Sequence, residues 1–290
     1  YRDVIITCKV ENGITSQSVT IVTDPCSNVT HAFKVRIPQS EKKIDFIACL
    51  SLQAPYFNFQ ELRENIEVNQ MFGIQHFAIY YSSIGDNVKK YLEFYKQKGL
   101  VSLYHWNITN TVKRYSRNQG KLSQYNDCLF RHKYSAKYII YMNTNEVITP
   151  RNFSTWQNFE DNQPGGACAY LFQTATFWKD LTSKNDTYSM FGFLTLQNIK
   201  RDGVIRSHDS SSRYLAKAKY LKIAGENKPI QCHAIASTVL VDKKDVLSHI
   251  YVDKVSKGFN TTVEDKTMLQ QGQYILTRLL KIAKEVNAKK

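Results

Sequence analysis

Between Gly120 and Pro150 the hydrophobic pattern changes period twice. Leu122, Tyr125, Leu129 and then His132 or Lys133 recur at three- and four-residue spacing, which places one apolar stripe on a helix. Lys137 to Met142 is a nearly continuous apolar run, the pattern of a short strand covered on both faces. The run stops abruptly at Asn143-Thr144-Asn145-Glu146, a bunch of polar side chains just past the carboxyl end of that strand. Open α/β sheets bind ligands at such places.

The preceding residues repeat the same unit. Ile44 to Leu50 reads as a buried strand, and Phe59 to Met71 as a helix carrying Leu62 and Ile66 and closed by Gly73. Phe77 to Tyr81 is a second strand. Val88, Tyr91, Leu92 and Tyr95 share a helical face that ends at Gly99, and Leu100 to Trp106 is a third strand. Strands alternating with helices of this length predict an α/β fold, a three-layer sandwich around a mainly parallel central sheet. Residues 1 to about 40 differ: Val4 to Val10, Ser18 to Val22 and His31 to Ile37 alternate as short strands between the turn signals Glu11-Asn12-Gly13 and Asp24-Pro25. The chain is therefore divided into a small β-rich N-terminal segment, 1–43, and an α/β domain, 44–290.

Beyond Pro150, Phe153, Trp156 and Phe159 suggest one or two helical turns, and Ala167 to Phe177 a strand. Tyr188 to Ile199 is an irregular aromatic segment suited to lining a cleft. Asp202 to Ser212, rich in Ser, Asp and Gly, is expected as a mobile loop, Tyr214 to Ile223 and Gln231 to Val241 as strands, and about Glu264 to Val286 as a final helix.

Composition narrows the class. A chain of 290 residues with 42% hydrophobic and 12% aromatic content can bury a sizeable core, which excludes general disorder. No apolar run approaches the ~20 residues that span a bilayer, so membrane attachment is expected only through a segment outside this chain. The net charge of +14 raises nucleic acid, anionic polysaccharide, membrane surfaces and phosphate-bearing substrates as partners. Lys and Arg are scattered, and no zinc-finger, RNA-recognition or helix-turn-helix signature is present, so no nucleic-acid partner is expected. Six widely spaced cysteines without a Cys-x-x-Cys pair argue against structural zinc. Sequons at Asn28, Asn107, Asn152, Asn185 and Asn260 together with the even cysteine count point to a glycoprotein of the secretory pathway, in the Golgi lumen or at the cell surface, with Cys8 and Cys26 as the expected local disulfide. The glycine-rich phosphate loops, Gly-x-Ser-x-Gly and His-Glu-x-x-His are all absent from the sequence. A bound nucleotide must then be held by a metal, by cationic side chains or by His.

The ordered series from Asp45 to Pro150 resembles glycosyltransferase family 92. It comprises a first strand ending near Ala48-Cys49, the Gly73 to Tyr80 pattern, Tyr91 to Trp106, Gln124 to Arg131 with Asp127, and the strand with the acidic terminus. The resemblance implies the GT-A fold and inverting transfer of galactose or a related sugar from a UDP-sugar such as UDP-galactose to a glycan acceptor. It also implies Asp-x-Asp-Glu after the central strand, holding Mn²⁺ against the UDP diphosphate. Here that motif reads Asn143-Thr144-Asn145-Glu146. An amide carbonyl can ligate a hard cation but brings no charge, so metal affinity is expected to be much reduced.

Three outcomes stay open at this level. Asn145 and Glu146 with His233 form a weakened metal site; or Lys219, Lys222 and Lys228 replace the ion at the leaving diphosphate; or the protein no longer transfers and keeps a binding role toward a glycan, a nucleotide sugar or a protein. Asn143, Asn145, Asp127, Arg131, Lys219 and Lys222 are the candidate nucleotide-binding residues, and Asp202, Asp209, Glu226 and Glu264 the candidates for the base that an inverting transfer needs. Aromatics from Tyr170 to Phe193 are candidates for stacking on sugar rings. Each has a plainer alternative: Asn143 and Asn145 as turn residues, Asp127 and Arg131 as an i,i+4 ion pair, His233 as a core histidine, and His208 and Asp209 as exposed loop residues.

Overall fold

The computed structural model describes residues 5–6, 8, 10, 15–24, 27–29, 31–35, 43–52, 55–108, 120–179, 192–208, 211–253 and 261–288. Near the N-terminus, β1 (Ser18–Val19) and β2 (Phe33–Lys34) pair antiparallel in a small exposed sheet of their own. The apolar runs that follow form β3 (Ile44–Ser51), β4 (His76–Tyr81), β5 (Val101–His105) and β6 (Ala136–Met142). They lie side by side, all parallel, in the order β5-β4-β3-β6. Between them run α1 (Phe59–Met71), α2 (Asp86–Gln97) and α3 (Lys121–His132).

The two-residue period of the strands divides the core. Phe46, Ala48, Leu50, Phe77, Ile79, Ile140 and Met142 face the apolar sides of α1 and α2. Ile47, Cys49, Ala78, Ile139 and Tyr141 face Tyr125, Cys128 and Leu129 of α3. Helices thus cover both faces of the parallel strands, giving three layers.

Past Met142 the sheet becomes mixed. β7 (Glu146–Pro150) and α4 (Trp156–Asp161) lead into the long buried β8 (Ala167–Trp178). Then come α5 (Leu194–Gln197), β9 (Lys200–Asp202), β10 (Ser212–Lys217), β11 (Leu221–Ile223), β12 (Gln231–Cys232) and β13 (Ser237–Leu240). Last are β14 (Val246–Val252), β15 (Thr262–Glu264) and α6 (Gly272–Ala288). β10 joins β6 to β8 by antiparallel pairing on both sides. β13 and β14 run parallel to β8, and β14 pairs antiparallel with β7.

Four expectations shift here. The Asp202–Ser212 stretch is not simply a loop: Asp202 ends β9, and Arg206 bridges to Thr174 of β8. Tyr214–Ile223 is two strands, broken at Ala218–Tyr220 where the Lys217 carbonyl receives Tyr220 N–H. Gln231–Val241 is also broken, by a turn in which Ala236 N–H bonds His233 C=O. The last helix begins at Gly272, because Asp265 is held by Arg151 and Arg201 and turns back to accept Thr267 N–H, which starts a 3₁₀ turn at Thr267–Gln271.

The disulfides also differ from the expectation. Cys8 is free and exposed, Cys26 lies outside the described residues, and the cross-links join cysteines that the core brings together: Cys49 of β3 with Cys128 of α3, and Cys168 of β8 with Cys232 of β12. Asn28, Asn107 and Asn152 are exposed, and Asn185 and Asn260 lie outside the described residues. Among the described residues no helix is long and apolar enough to cross a membrane.

The Cys49–Cys128 bond closes a separation of 79 residues and pins α3 to the sheet. Replacing both cysteines by alanine is expected to remove about 2–4 kcal/mol of unfolding free energy, read from denaturant midpoints.

His249 of β14 is fully buried and stacked on Phe177. Burial depresses its pKa to about 3, with Asp265 opposing and Arg151 and Arg201 adding to the depression. The unfolded chain takes up that proton near 6.5 and the folded one does not, so stability is present above pH 6.5 and is lost as pH falls toward 3. His249→Gln is expected to flatten the stability–pH curve in that window by up to about 1.4 kcal/mol per pH unit.

Candidate functional site

The residues that follow β6 turn sharply, and one helix fixes the turn. The Asn65 side chain, buried on α1, donates to the carbonyls of Asn143, Thr144 and Glu146 at 3.3, 3.1 and 2.7 Å. The same helix supplies Glu61. Asn58 caps α1 by accepting Glu61 N–H at 3.0 Å, and the Glu61 carboxylate reaches across to Thr144 Oγ1 at 2.6 Å. A cleft of about 460 Å³ opens there, lined by Ser51 at the end of β3, Tyr56, Glu61, the Asn143–Glu146 turn, Lys179, Arg206, Ser211, Arg213 and Ile250. It lies at the carboxyl ends of the parallel strands, where the sequence pattern locates a ligand site.

Glu146 is its electrostatic centre. Its side chain is 1% exposed, and each carboxylate oxygen accepts two hydrogen bonds. Oε1 receives Asn143 Nδ2 at 2.6 Å and Arg213 Nη2 at 2.5 Å; Oε2 receives Asn143 N–H at 3.1 Å and Arg213 Nε at 2.7 Å. Burial alone would raise the Glu146 pKa, but Arg213 reverses the effect and holds it below the usual carboxylate value. Arg213 is in turn raised by Glu146 against the opposing effect of burial, and its Nη1 donates to Asn227 Oδ1 at 3.0 Å.

More cations stand around the turn, with Lys179 and Arg206 lining the cleft and Lys121 behind Asn143. Lys121, the first residue of α3, donates to Asn143 Oδ1 at 2.5 Å; burial lowers its pKa, with Glu146 opposing. Lys179 pairs with Glu61 at 3.4 Å. Arg206 is exposed and has no ion pair among the described residues.

The expected ligand set for a divalent ion does not fit this arrangement. The lone pairs of Glu146 are filled by Asn143 and Arg213. The Asn145 side-chain amide donates to Tyr251 C=O at 2.9 Å and locks the turn onto β14. His233 follows β12, whose Cys232 is tied to Cys168, and its backbone N–H bonds Tyr220 C=O; Tyr220 stands with Ala136 at the start of β6, the end away from the cleft. Among the described residues no group of three or more His, Cys, Asp and Glu is placed to hold a metal ion.

Of the other candidates, Asn143, Asn145 and Glu146 come together. Asp127 and Arg131 form the i,i+4 ion pair at 2.5 Å, with Tyr80 OH donating to Asp127 at 2.6 Å and Arg131 over the Tyr104 ring. They serve the α3–sheet interface and do not line the cleft. Lys219 and Lys222 lie at the opposite end of the sheet, Lys219 beside Lys133 and Lys137, and Lys222 beside Lys133. Lys228 is exposed in the loop whose Asn227 supports Arg213.

Glu226, in that loop, is close enough for its charge to act on Lys121 and Arg213. Asp202 accepts Val204 N–H at the end of β9, Glu264 is exposed and paired with Lys266, and Asp209 lies outside the described residues. The aromatics expected to stack on sugars are largely core: Tyr170, Phe172, Phe177, Trp178 and Phe193 are all buried. The aromatic ring of the cleft is Tyr56, which sequence pattern missed along with Glu61, Asn65, Lys121, Lys179, Arg206 and Arg213. Only Glu61 had a local signal, three residues after the capping Asn58.

A sheet with helices on both faces and a charged cleft at the strand ends defines an open-sheet α/β domain whose cleft lies where such sheets bind ligands. The chain belongs to glycosyltransferase family 92, whose profile matches residues 44–277. Two curated Caenorhabditis elegans proteins of that family are 25% identical to it, one over 114 residues (36% of this chain and 23% of the relative), the other over 119 residues (38% and 24%). The matched part thus spans about a quarter of those relatives' length. Among solved structures, the apo bifunctional glycosyltransferase WbbM aligns with a TM-score of 0.30 at 8% identity, covering 50% of this chain and 26% of that one.

The Glu146–Arg213 pair gives a direct test of how the cleft is held. Arg213→Met is expected to cost about 3–5 kcal/mol in denaturant unfolding by leaving Glu146 buried and unpaired, and the double change Arg213→Met/Glu146→Leu to recover most of that loss.

Proposed function

We propose that this protein is glycosyltransferase-like and binds the diphosphate of a UDP-sugar, UDP-galactose by the family resemblance, through cationic side chains in place of a divalent ion. The observation that carries this reading is the cation set around the turn: Lys121, Lys179 and Arg206 near a Glu146 already neutralised by Arg213. Ammonium and guanidinium groups aimed at a leaving diphosphate offset the charge that develops there. In an inverting transfer the acceptor glycan hydroxyl attacks the anomeric carbon, the bond from that carbon to the diphosphate oxygen breaks, and a carboxylate takes the hydroxyl proton. Glu226 is the candidate for that base, because its charge reaches Lys121 and Arg213. Two disulfides and three exposed sequons support action in the Golgi lumen or at the cell surface, as a glycoprotein.

A second reading, a nucleotide-sugar or glycan binder without transfer, is favoured by one feature. Both carboxylates that line the cleft are occupied, Glu61 by Thr144 and Lys179 and Glu146 by Asn143 and Arg213.

Calorimetry with UDP is expected to give the same affinity with and without Mn²⁺, and Lys179→Ala/Arg206→Ala to weaken it at least tenfold, about 1.4 kcal/mol. Binding that requires Mn²⁺ overturns the cationic site. Release of UDP from UDP-galactose, abolished by Glu226→Gln with UDP binding retained, is expected of the transferase; UDP binding without any turnover establishes the binder.

A further inference from the structure

The end of the sheet away from the cleft carries a second concave surface. A cleft of about 530 Å³ lies over the starts of β3 and β6 and the end of β10, lined by Lys43, Lys133, Lys137, Lys217 and Lys219, with Asp45 as the one acidic residue of its wall. From Ile44 to Ser51, at about 3.3 Å per residue, it stands roughly 23 Å from the first cleft. It is therefore a separate site.

Local contacts hold Lys133 and Lys137, and the charge of Glu160 reaches both Lys137 and Lys217. Lys133 Nζ donates to Leu221 C=O at 2.7 Å; burial and the neighbouring Lys222 hold its pKa below the ordinary lysine value. Lys137 pairs with Glu160 at 2.6 Å, and Glu160 also accepts Tyr138 OH at 3.0 Å. The Lys137 and Lys217 ammonium groups sit 5.8 and 5.6 Å from the centre of the Tyr138 ring. Among the described residues Lys43, Lys217 and Lys219 form no ion pair. The wall also carries two amphipathic rings: Tyr134, 66% exposed, and the half-buried Tyr220.

We infer that this cleft is a docking site for an anionic polysaccharide, one bearing sulfate groups. Clustered like charges repel one another and are relieved by a multivalent anion. Lysine ammonium groups on flexible stems adapt to acidic groups spaced along a polymer, whereas the planar fork of arginine favours single bidentate partners. Tyrosine presents a flat apolar face and a hydroxyl, which suits a sugar ring better than a bare ion. The two disulfides mark an oxidising compartment, in which acidic glycans and not nucleic acids are the polyanions met. The inference does not depend on the nucleotide reading of the first cleft.

The test is equilibrium binding of a heparin oligosaccharide to the intact chain, beside its fully desulfated counterpart and a single-stranded DNA of matched charge. Wild-type protein is expected to bind the sulfated probe, with affinity falling steeply as salt is added, and to bind the other two at least tenfold more weakly. Lys217→Glu/Lys219→Glu is expected to lower affinity at least tenfold. Lys89→Glu/Lys284→Glu, which changes the net charge equally at exposed positions on α2 and α6, is expected to leave it within twofold. Failure to bind heparin, equal binding of the desulfated probe, tighter binding of DNA, or equal losses in the two double variants each overturns the proposal. Thermal melting of both variants confirms that they are folded.

Discussion

A carboxylate shut away from water at the end of β6 must be matched there or not be charged at all, and most of the cleft follows from how Glu146 is matched. Arg213 supplies the counter-charge in the fork geometry that fits both carboxylate oxygens. Asn143 supplies the remaining two donors, one from its backbone and one from its side chain. An aspartate at 143 has no side-chain N–H to offer and would set a second negative charge against Glu146. The neutral amide at 143 thus suits this ion pair where an acid would not.

Positive charge reaches the turn and the cleft from two other elements as well. Lys121 reaches the turn because α3 begins beside Asn143, following the left-handed Gly120, and Lys179 lines the cleft where β8 ends. Glu61 then partners Lys179 from across the cleft, so two ion pairs, Glu61–Lys179 and Glu146–Arg213, flank the turn while Arg206 has no ion pair among the described residues. Lys219 and Lys222, although near His233 in sequence, are carried away because β10 runs antiparallel to β6 and delivers them to the far end.

The parallel half of the fold was legible in the sequence because each of its strands is a short apolar run followed by a helix with one buried stripe. The bounds of α1 and the polar turn after β6 can be read directly from that pattern. The second half was less legible because its strands pair with distant partners: β7 with β14, and β8 with β9, β10, β13 and β14. No local period records such pairings. The site divided in the same way. Asn143 to Glu146 are contiguous and visible, whereas Arg213 lies 67 residues from Glu146 and Lys179 lies 118 from Glu61. The aromatic run from Tyr170 misled because rings suited to a sugar are equally suited to a core, and β8 is covered on both faces.

Helix α1 buries charged and amide side chains along most of its length: Arg63, Glu64, Asn65, Glu67 and Asn69. Glu64 accepts the backbone N–H groups of Leu194 and Thr195, Asn65 holds the turn after β6, and Glu67 binds Arg278 of α6 and Tyr95 of α2. Glu61 at the cleft and Glu67 at the C-terminal helix are only ~9 Å apart along the same rod, at about 1.5 Å per residue. The C-terminal helix is therefore a splint for the cleft. Clipping the chain before Arg278 would strip Glu67 of its guanidinium and let the rod that carries Glu61 and Asn65 roll on the sheet.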